Sequence, residues 1–197
     1  MDLLTTQDEV LVGDDHSAHM EPVVSNGLVP WTTKDGIQFP IRAICPDDEP
    51  LMVKFHQGLS DRTVYLRYFC SLSFATRSSH ERLARICFAD PARESVLVAV
   101  HTDSYTGRPN IVAVGRLNKA SDGKTAELAV LVSDKYRGRG LGKELLKKLI
   151  EAGRGQRILR LTAEMLRDNI AIQSLLKRFG FRFKLDDPRV VRASLDL

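Results

Sequence analysis

Apolar residues recur along this chain in two rhythms, every second position and every third or fourth, and the rhythm switches repeatedly. Leu141, Leu145, Leu146, Leu149 and Ile150 keep the helical spacing. They predict a helix from about Gly140 to Ala152, stopped by Gly153 and Gly155. Leu51, Phe55 and Leu59 recur every four residues and predict a helix from Asp47 or Asp48 to about Gln57. Arg62–Phe69 and Ser79–Phe88 read as two further helical stretches, and Asp168 or Asn169 caps one that runs to Phe179 and ends at Gly180. Between these lie short β-type runs: Ile37–Ile44, Ser95–His101, Ile111–Leu117, Thr125–Val132, Ile158–Met165, Phe181–Leu185 and Val190–Leu195. Pro40 interrupts the first and places it at a sheet edge. The order of elements predicts one α+β domain over 31–197, built on a mixed, mostly antiparallel sheet of about seven strands flanked by helices.

Residues 1–30 show neither rhythm. They hold six acids (Asp2, Asp8, Glu9, Asp14, Asp15, Glu21) and no Lys or Arg, and read as an acidic mobile tail. The rest of the chain then sets 29 bases against 19 acids, a balance of +10, which suits a polyanionic ligand. His16 and His19 beside Asp14 and Asp15 lack further ligands nearby, so no metal site is expected. Cys45, Cys70 and Cys87 are odd in number and without C-x-x-C spacing, which argues against a disulfide framework or zinc and for a reducing compartment. No run approaches the roughly 18 apolar residues of a membrane helix. The acidic start lacks the layout of a secretory signal, so the expectation is a cytoplasmic protein with no membrane partner. The basic residues are not interleaved with exposed aromatics, and no nucleic-acid partner is expected.

The most informative stretch is Leu131-Val132-Ser133-Asp134-Lys135-Tyr136-Arg137-Gly138-Arg139-Gly140-Leu141-Gly142-Lys143. A strand runs into a turn with three glycines in five residues, and the turn opens a helix. Backbone N–H groups at such a helix start, aided by roughly half a positive charge from the helix dipole, attract phosphate. Glycine lets the phosphate approach without a Cβ in the way, and Arg137, Arg139 and Lys143 add full charges. The spacing is neither that of a P-loop nor, lacking the acid at the ribose distance, that of a dinucleotide fold. The second candidate is Glu127, the one acid between Asp122 and Asp134, on an otherwise apolar strand. A carboxyl partly buried there is suited to proton transfer.

Arg137-x-x-Gly140-x-Gly142 resembles the acyl-CoA-binding motif of the GNAT N-acetyltransferase superfamily, and it lies between the fourth strand and the helix that follows, as in that family. Downstream, Asn169-x-x-Ile172-x-x-Leu175-x-x-Arg178-x-Gly180-Phe181 resembles the family's second signature. Ile41–Leu51, Leu59–Phe69 and Asp187–Leu197 are similar to the GNAT domain of bacterial protein lysine acetyltransferases of the Pat type. The resemblance implies the GNAT fold and acetyl-CoA as acyl donor. Its pantetheine would lie along Leu128–Val132, a backbone N–H near Leu131 or Val132 would meet the thioester carbonyl, and its pyrophosphate would rest on Arg137, Gly138, Arg139, Gly140, Leu141, Gly142 and Lys143. The same resemblance brings Asn169 against the cofactor, makes Glu127 the general base, and makes the acceptor a lysine on a protein partner, an acyl-CoA synthetase.

One position departs from the family. The Tyr proposed there to protonate the leaving thiolate is Leu176, so the resemblance supplies no side-chain general acid at that position, and Ser174 is the weaker substitute. Pat-type GNAT domains are often fused to a sensing or synthetase-like domain, for which these residues leave no room, so the acidic tail is the expected regulator. Two other functions share the features: acetylation of a small amine, and a CoA-binding sensor without turnover. An intact Glu127 and an intact turn speak against the sensor.

Overall fold

Proline has no N–H to give to a ladder, and Pro40 divides the first expected strand in two. Trp31–Thr32 (β1) pairs antiparallel with Gln38–Phe39 (β2) as a separate hairpin, and Ile41–Ala43 (β3) then joins the main sheet as its edge. This is a computed structural model, and it describes residues 30–33, 36–185 and 187–197. The acidic segment, apart from Pro30, lies outside the described residues, as do His16 and His19.

A 3₁₀ turn at Pro46–Asp48 leads into Glu49–Gln57 (α1), followed by Asp61–Tyr68 (α2), Phe74–Arg77 (α3) and His80–Cys87 (α4). The short α3 has no counterpart in the sequence reading. Glu94–Thr102 (β4), Pro109–Lys119 (β5) and Thr125–Val132 (β6) form an antiparallel meander. Leu141–Gly155 (α5) crosses to Arg160–Leu166 (β7), which runs parallel to β6. Ile170–Arg178 (α6), Arg182–Leu185 (β8) and Val190–Asp196 (β9) complete the fold. The main sheet has seven strands in the order β3-β4-β5-β6-β7-β9-β8, and every pairing except β6–β7 is antiparallel.

Helices cover both faces of the middle strands, which is why β5 carries an unbroken apolar run, Ile111–Val114, instead of an alternating one. One core joins α5 and α6 to the sheet through Leu146, Leu149, Ile150, Leu161, Met165 and Leu176. A second joins α1, α2 and α4 to β4 and β5 through Met52, Phe55, Val64, Leu83, Val98 and Val114, and a third gathers Phe39, Ile41, Leu141 and Leu145. Burying one such Leu or Met side chain stabilises the fold by about 1.5–3 kcal/mol. Gly153 does not stop α5. It is buried inside the helix, and a Cβ there would meet Leu197 Cδ1 at 3.1 Å and Leu161 Cδ2 at 3.3 Å, so it gives α5 its close approach to the sheet.

Asp48 and His56 are among the polar groups buried with the helices on the second face. Asp48, 2% exposed, takes a two-pronged bond from Arg42 (2.6 and 2.7 Å) and accepts from Cys45 N–H at 2.9 Å, tying β3 to the start of α1. Burial alone would raise its pKa, but the Arg42 and Cys45 donors hold it below the ordinary carboxylate value. His56 of α1 is 1% exposed, and its Nδ1 has no partner. Burial first, then Arg82, Arg77 and Arg67, push its pKa down to about 4.

The His56 shift implies a defined acid sensitivity. Between its native value of about 4 and an unfolded value near 6.5, the unfolded chain binds a proton that the native chain does not. Stability from this group is complete above that window and falls as pH drops through it. Denaturant titrations at pH 7.5 and 4.5 should show the native protein losing about 2 kcal/mol more than a His56→Leu variant. Parallel losses in both proteins would mean that His56 does not titrate on unfolding.

Candidate functional site

The β6–β7 ladder is three residues long. Thr125, Ala126 and Glu127 face Arg160, Leu161 and Thr162, and there the register ends. β6 continues to Val132, still paired with β5 on its other side, so its β7-facing edge from Leu128 onward has no strand partner. A cleft of about 670 Å³ opens where the two strands part. Its floor is the freed stretch of β6. One wall is the start of α5 with the turn before it, a second is α6 with Asn169, and the third is α2 through Thr63, Arg67 and Tyr68, with Phe69 just beyond its end.

The turn is built by backbone geometry that only glycine adopts at low cost. Gly138 has φ +75° and Gly140, the residue before α5, has φ +94°. A Cβ on Gly140 would sit 3.1 Å from the Trp31 indole, so β1 closes the outer side of the turn while its inner side lines the cleft. Among the residues picked out in the sequence, Glu127, Leu131, Val132, Arg137, Gly138, Gly140, Leu141, Gly142, Lys143 and Asn169 all line this one cleft. Arg139 does not. Its guanidinium lies over the Tyr136 ring, 5.7 Å from the centroid, next to the cluster of Phe39, His101 and Tyr136. Asn169 has two neighbours at once: it borders the cleft, and its Oδ1 accepts from Ile172 N–H at 3.5 Å as the cap of α6.

Glu127 differs from the sequence expectation in one respect. It is exposed, not partly buried, because the ladder ends at its own position and strand β7 falls away beyond it. Alternation along β6 sends Ala126 and Leu128 into the core beneath α5 and turns Glu127, Ala129 and Leu131 to the opposite face, toward α2. Leu176 lies wholly inside the core, so nothing at that position reaches the cleft, whereas Ser174 borders it.

Several lining residues went unnoticed in the sequence. Glu164 is a second carboxylate at the cleft, held by Arg192 at 2.7 Å. Arg67 borders the same end as Glu127. Burial lowers its pKa, Arg116 and Arg82 act in the same sense, and Tyr68 and Glu127 oppose them. Among the described residues no metal-binding cluster of three or more His, Cys, Asp or Glu occurs, and no helix is long and apolar enough to cross a membrane. Cys45, Cys70 and Cys87 are free thiols, Cys70 exposed and Cys87 buried.

The arrangement offers an unpaired strand edge for an extended ligand, a cationic helix start for an anion, and a carboxylate at the end where the strands part. Comparison with known proteins agrees with this geometry. Residues 63–181 match the model of the acetyltransferase (GNAT) family. The acetyltransferase Pat of Mycolicibacterium smegmatis is 29% identical over 169 residues, which cover 86% of this chain and 49% of that protein, so the chain spans about half the length of this curated relative. The crystal structure of the GNAT domain of S. lividans Pat superposes with a TM-score of 0.75 at 26% identity, covering 86% of this chain and 97% of that domain. A cAMP-binding acyltransferase from Mycobacterium smegmatis shares the fold at 24% identity and a TM-score of 0.57, over 86% of this chain and 46% of that one. With more than half of its length matched by the family model, and with the sheet, turn and cleft described above, the chain belongs to the GNAT acetyltransferase family.

Proposed function

We propose that this chain transfers an acetyl group from acetyl-CoA to the side-chain amine of lysines on a protein partner, with acyl-CoA synthetases as the acceptor class. The observation that carries the reading is the parting of β6 and β7 at Glu127, which puts a free strand edge, a cationic helix start and a carboxylate in one cleft. The relationship to Pat supports the choice of acceptor. The residues fit the donor: Gly138 and Gly140 give the turn the left-handed backbone it needs, Arg137 and Lys143 supply charge, and Leu128–Val132 supply backbone groups for an amide-rich chain.

Acetyl-CoA supplies an acyl group already activated as a thioester. The chain's residues must then hold it and move one proton. The start of α5 and its cations bind the phosphates. A backbone N–H near Leu131 or Val132 would stabilise negative charge on the carbonyl oxygen. Lysine has a pKa near 10.4, so on the order of one amine in a few thousand is neutral at pH 7. Glu127, open to solvent at the cleft's end, takes the proton from the ammonium directly or through a water. No protein carboxyl or thiol has to form a covalent intermediate. With Leu176 in the core, the departing thiolate, a good leaving group, takes its proton from water or from the Ser174 hydroxyl.

Two measurements test this reading. Gly140→Val places a β-branched side chain at φ +94° against Trp31. Calorimetry should show acetyl-CoA affinity falling at least about tenfold in a protein with native circular dichroism; undiminished affinity would remove the turn from the donor site. Glu127→Gln keeps the shape of the side chain without its basicity. It should lower kcat by about a hundredfold to a thousandfold on a protein acceptor and change acetyl-CoA affinity by no more than a few-fold. A variant with native kcat and an unchanged pH profile would place the base elsewhere. Mapping labelled lysines after incubation with radiolabelled acetyl-CoA and a panel of acyl-CoA synthetases and free amines decides the acceptor class.

A further inference from the structure

The residue expected to hold phosphate, Arg137, is already at work on another element. Its Nη2 donates to Thr63 Oγ1 of α2 at 2.6 Å, and its Nη1 lies 3.3 Å from Asp134 Oδ1. Asp134, in the same turn as Arg137, reaches the start of α2 as well. It accepts from Ser60 N–H at 3.0 Å, from Ser60 Oγ at 3.1 Å and from Thr63 Oγ1 at 2.7 Å. These donors, with Arg137, hold its pKa below the ordinary value against the effect of burial. The loop between β7 and α6, on the opposite side of the cleft, also sends an aspartate to α2: Asp168 lies 3.6 Å from Arg62. The first turn of α2 therefore spans the two loops that flank the parted strands. Farther along the same helix, Arg67 and Tyr68 form the wall beside Glu127.

We infer that Asp134 and Thr63 act as positioning residues that couple the donor turn to the acceptor wall: an anion held by Arg137 is felt at α2 through the Arg137–Thr63–Asp134 contacts. The inference rests on the proposed function for the identity of the donor. Its chemistry is that of a guanidinium with five donors in a planar fork. Nη2 gives one N–H to Thr63 and Nη1 faces Asp134, so the remaining N–H donors of the fork can take a phosphate oxygen while both contacts persist. A phosphate would then fix Arg137, and Arg137 would fix the first turn of α2. Coupling of this kind is reciprocal, so whatever seats α2 also favours the donor. A cleft that ordered its acceptor wall only when loaded would hold the lysine beside Glu127 when the acyl group is present.

Hydrogen exchange of the whole chain, with coenzyme A as the probe, tests this without needing turnover or a known acceptor. Saturating coenzyme A, with saturation set by calorimetry for each protein, should slow exchange of the 61–68 amides by about threefold to tenfold. The turn amides, 133–143, should be protected in parallel. Thr63→Val keeps the shape of the side chain and the Ser60 cap but removes the hydroxyl that links Arg137 and Asp134. In that variant the turn should still be protected while the ligand-dependent change in α2 falls to less than about a third of native. A purely structural role for Thr63 would raise the baseline exchange of α2 and leave the ligand-dependent increment intact. Protection confined to the turn in the native chain, or an undiminished increment in Thr63→Val, would overturn the coupling. If coenzyme A protects neither segment, the donor assignment itself fails and the coupling with it; protection of the turn alone fails only the coupling.

Discussion

Strand β7 leaves β6 after three residue pairs, and the rest of the site depends on that separation. Two parallel strands that remained paired would satisfy each other's backbone and leave no groove between them. Here the separation leaves five residues of β6 with one edge bare, in a part of the sheet where the opposite edge is fully paired with β5. Unpaired backbone groups away from solvent are costly, so a stretch of this kind is stable only where water or an extended ligand meets it. The helices keep the strands apart. α5 lies under β6 and packs through Leu145, Leu146 and Leu149, while α6 sits beside it with Leu176 in the same core. Neither helix can relax toward the gap without giving up buried apolar surface.

Charge is then placed according to that gap. The start of α5 points into one end with Arg137 and Lys143, and Glu127 stands at the other, where the ladder stops. The two ends need different things. Phosphate recognition, in the proposed function, would rest mainly on backbone donors in a turn whose left-handed positions Gly138 and Gly140 supply. Proton transfer needs one side chain whose position is fixed by strand register. That Glu127 is exposed fits its proposed role as well as burial would, because an acceptor amine has to arrive from solvent and its proton has to return there. A carboxylate at the last paired position of a strand is rigid in its backbone and open in its side chain.

Most of the strand and helix order and the glycine turn were legible in the sequence because each follows from local rules, whereas the ligand-lining stretch of β6 came from the family resemblance. Apolar period marks α5, three glycines in five residues mark the turn before it, and Asp168 or Asn169 marks a helix start. Tertiary features were not legible. Gly153 looked like a helix stop and is a contact, since its value lies in what packs against it from Leu161 and Leu197. Arg139 looked equivalent to Arg137, yet its guanidinium lies over the Tyr136 ring and is not among the residues that line the cleft. The wall formed by α2 was invisible because its partners are distant in sequence: Ser60 and Asp134 are 74 residues apart, and Thr63 and Asp134 are 71. No short-range signal links such residues.

These long-range contacts also explain why the two sides of the cleft cannot be treated as independent. An arginine that only bound phosphate would stand free in the unloaded protein, and a helix that only shaped the acceptor mouth would be capped by its own residues. In this protein the helix is capped jointly, by Ser60 from within and by Asp134 from the donor turn, and Arg137 is shared between them. Removing the Asp134 carboxylate would leave the amide of Ser60 and two hydroxyls without their acceptor, a cost of about 1–3 kcal/mol for each group that stays buried. The contacts therefore secure the fold locally while joining the donor side to the acceptor side. That double duty ties the position of α2, and with it Arg67 and Tyr68, to the state of a turn on the far side of the strand gap.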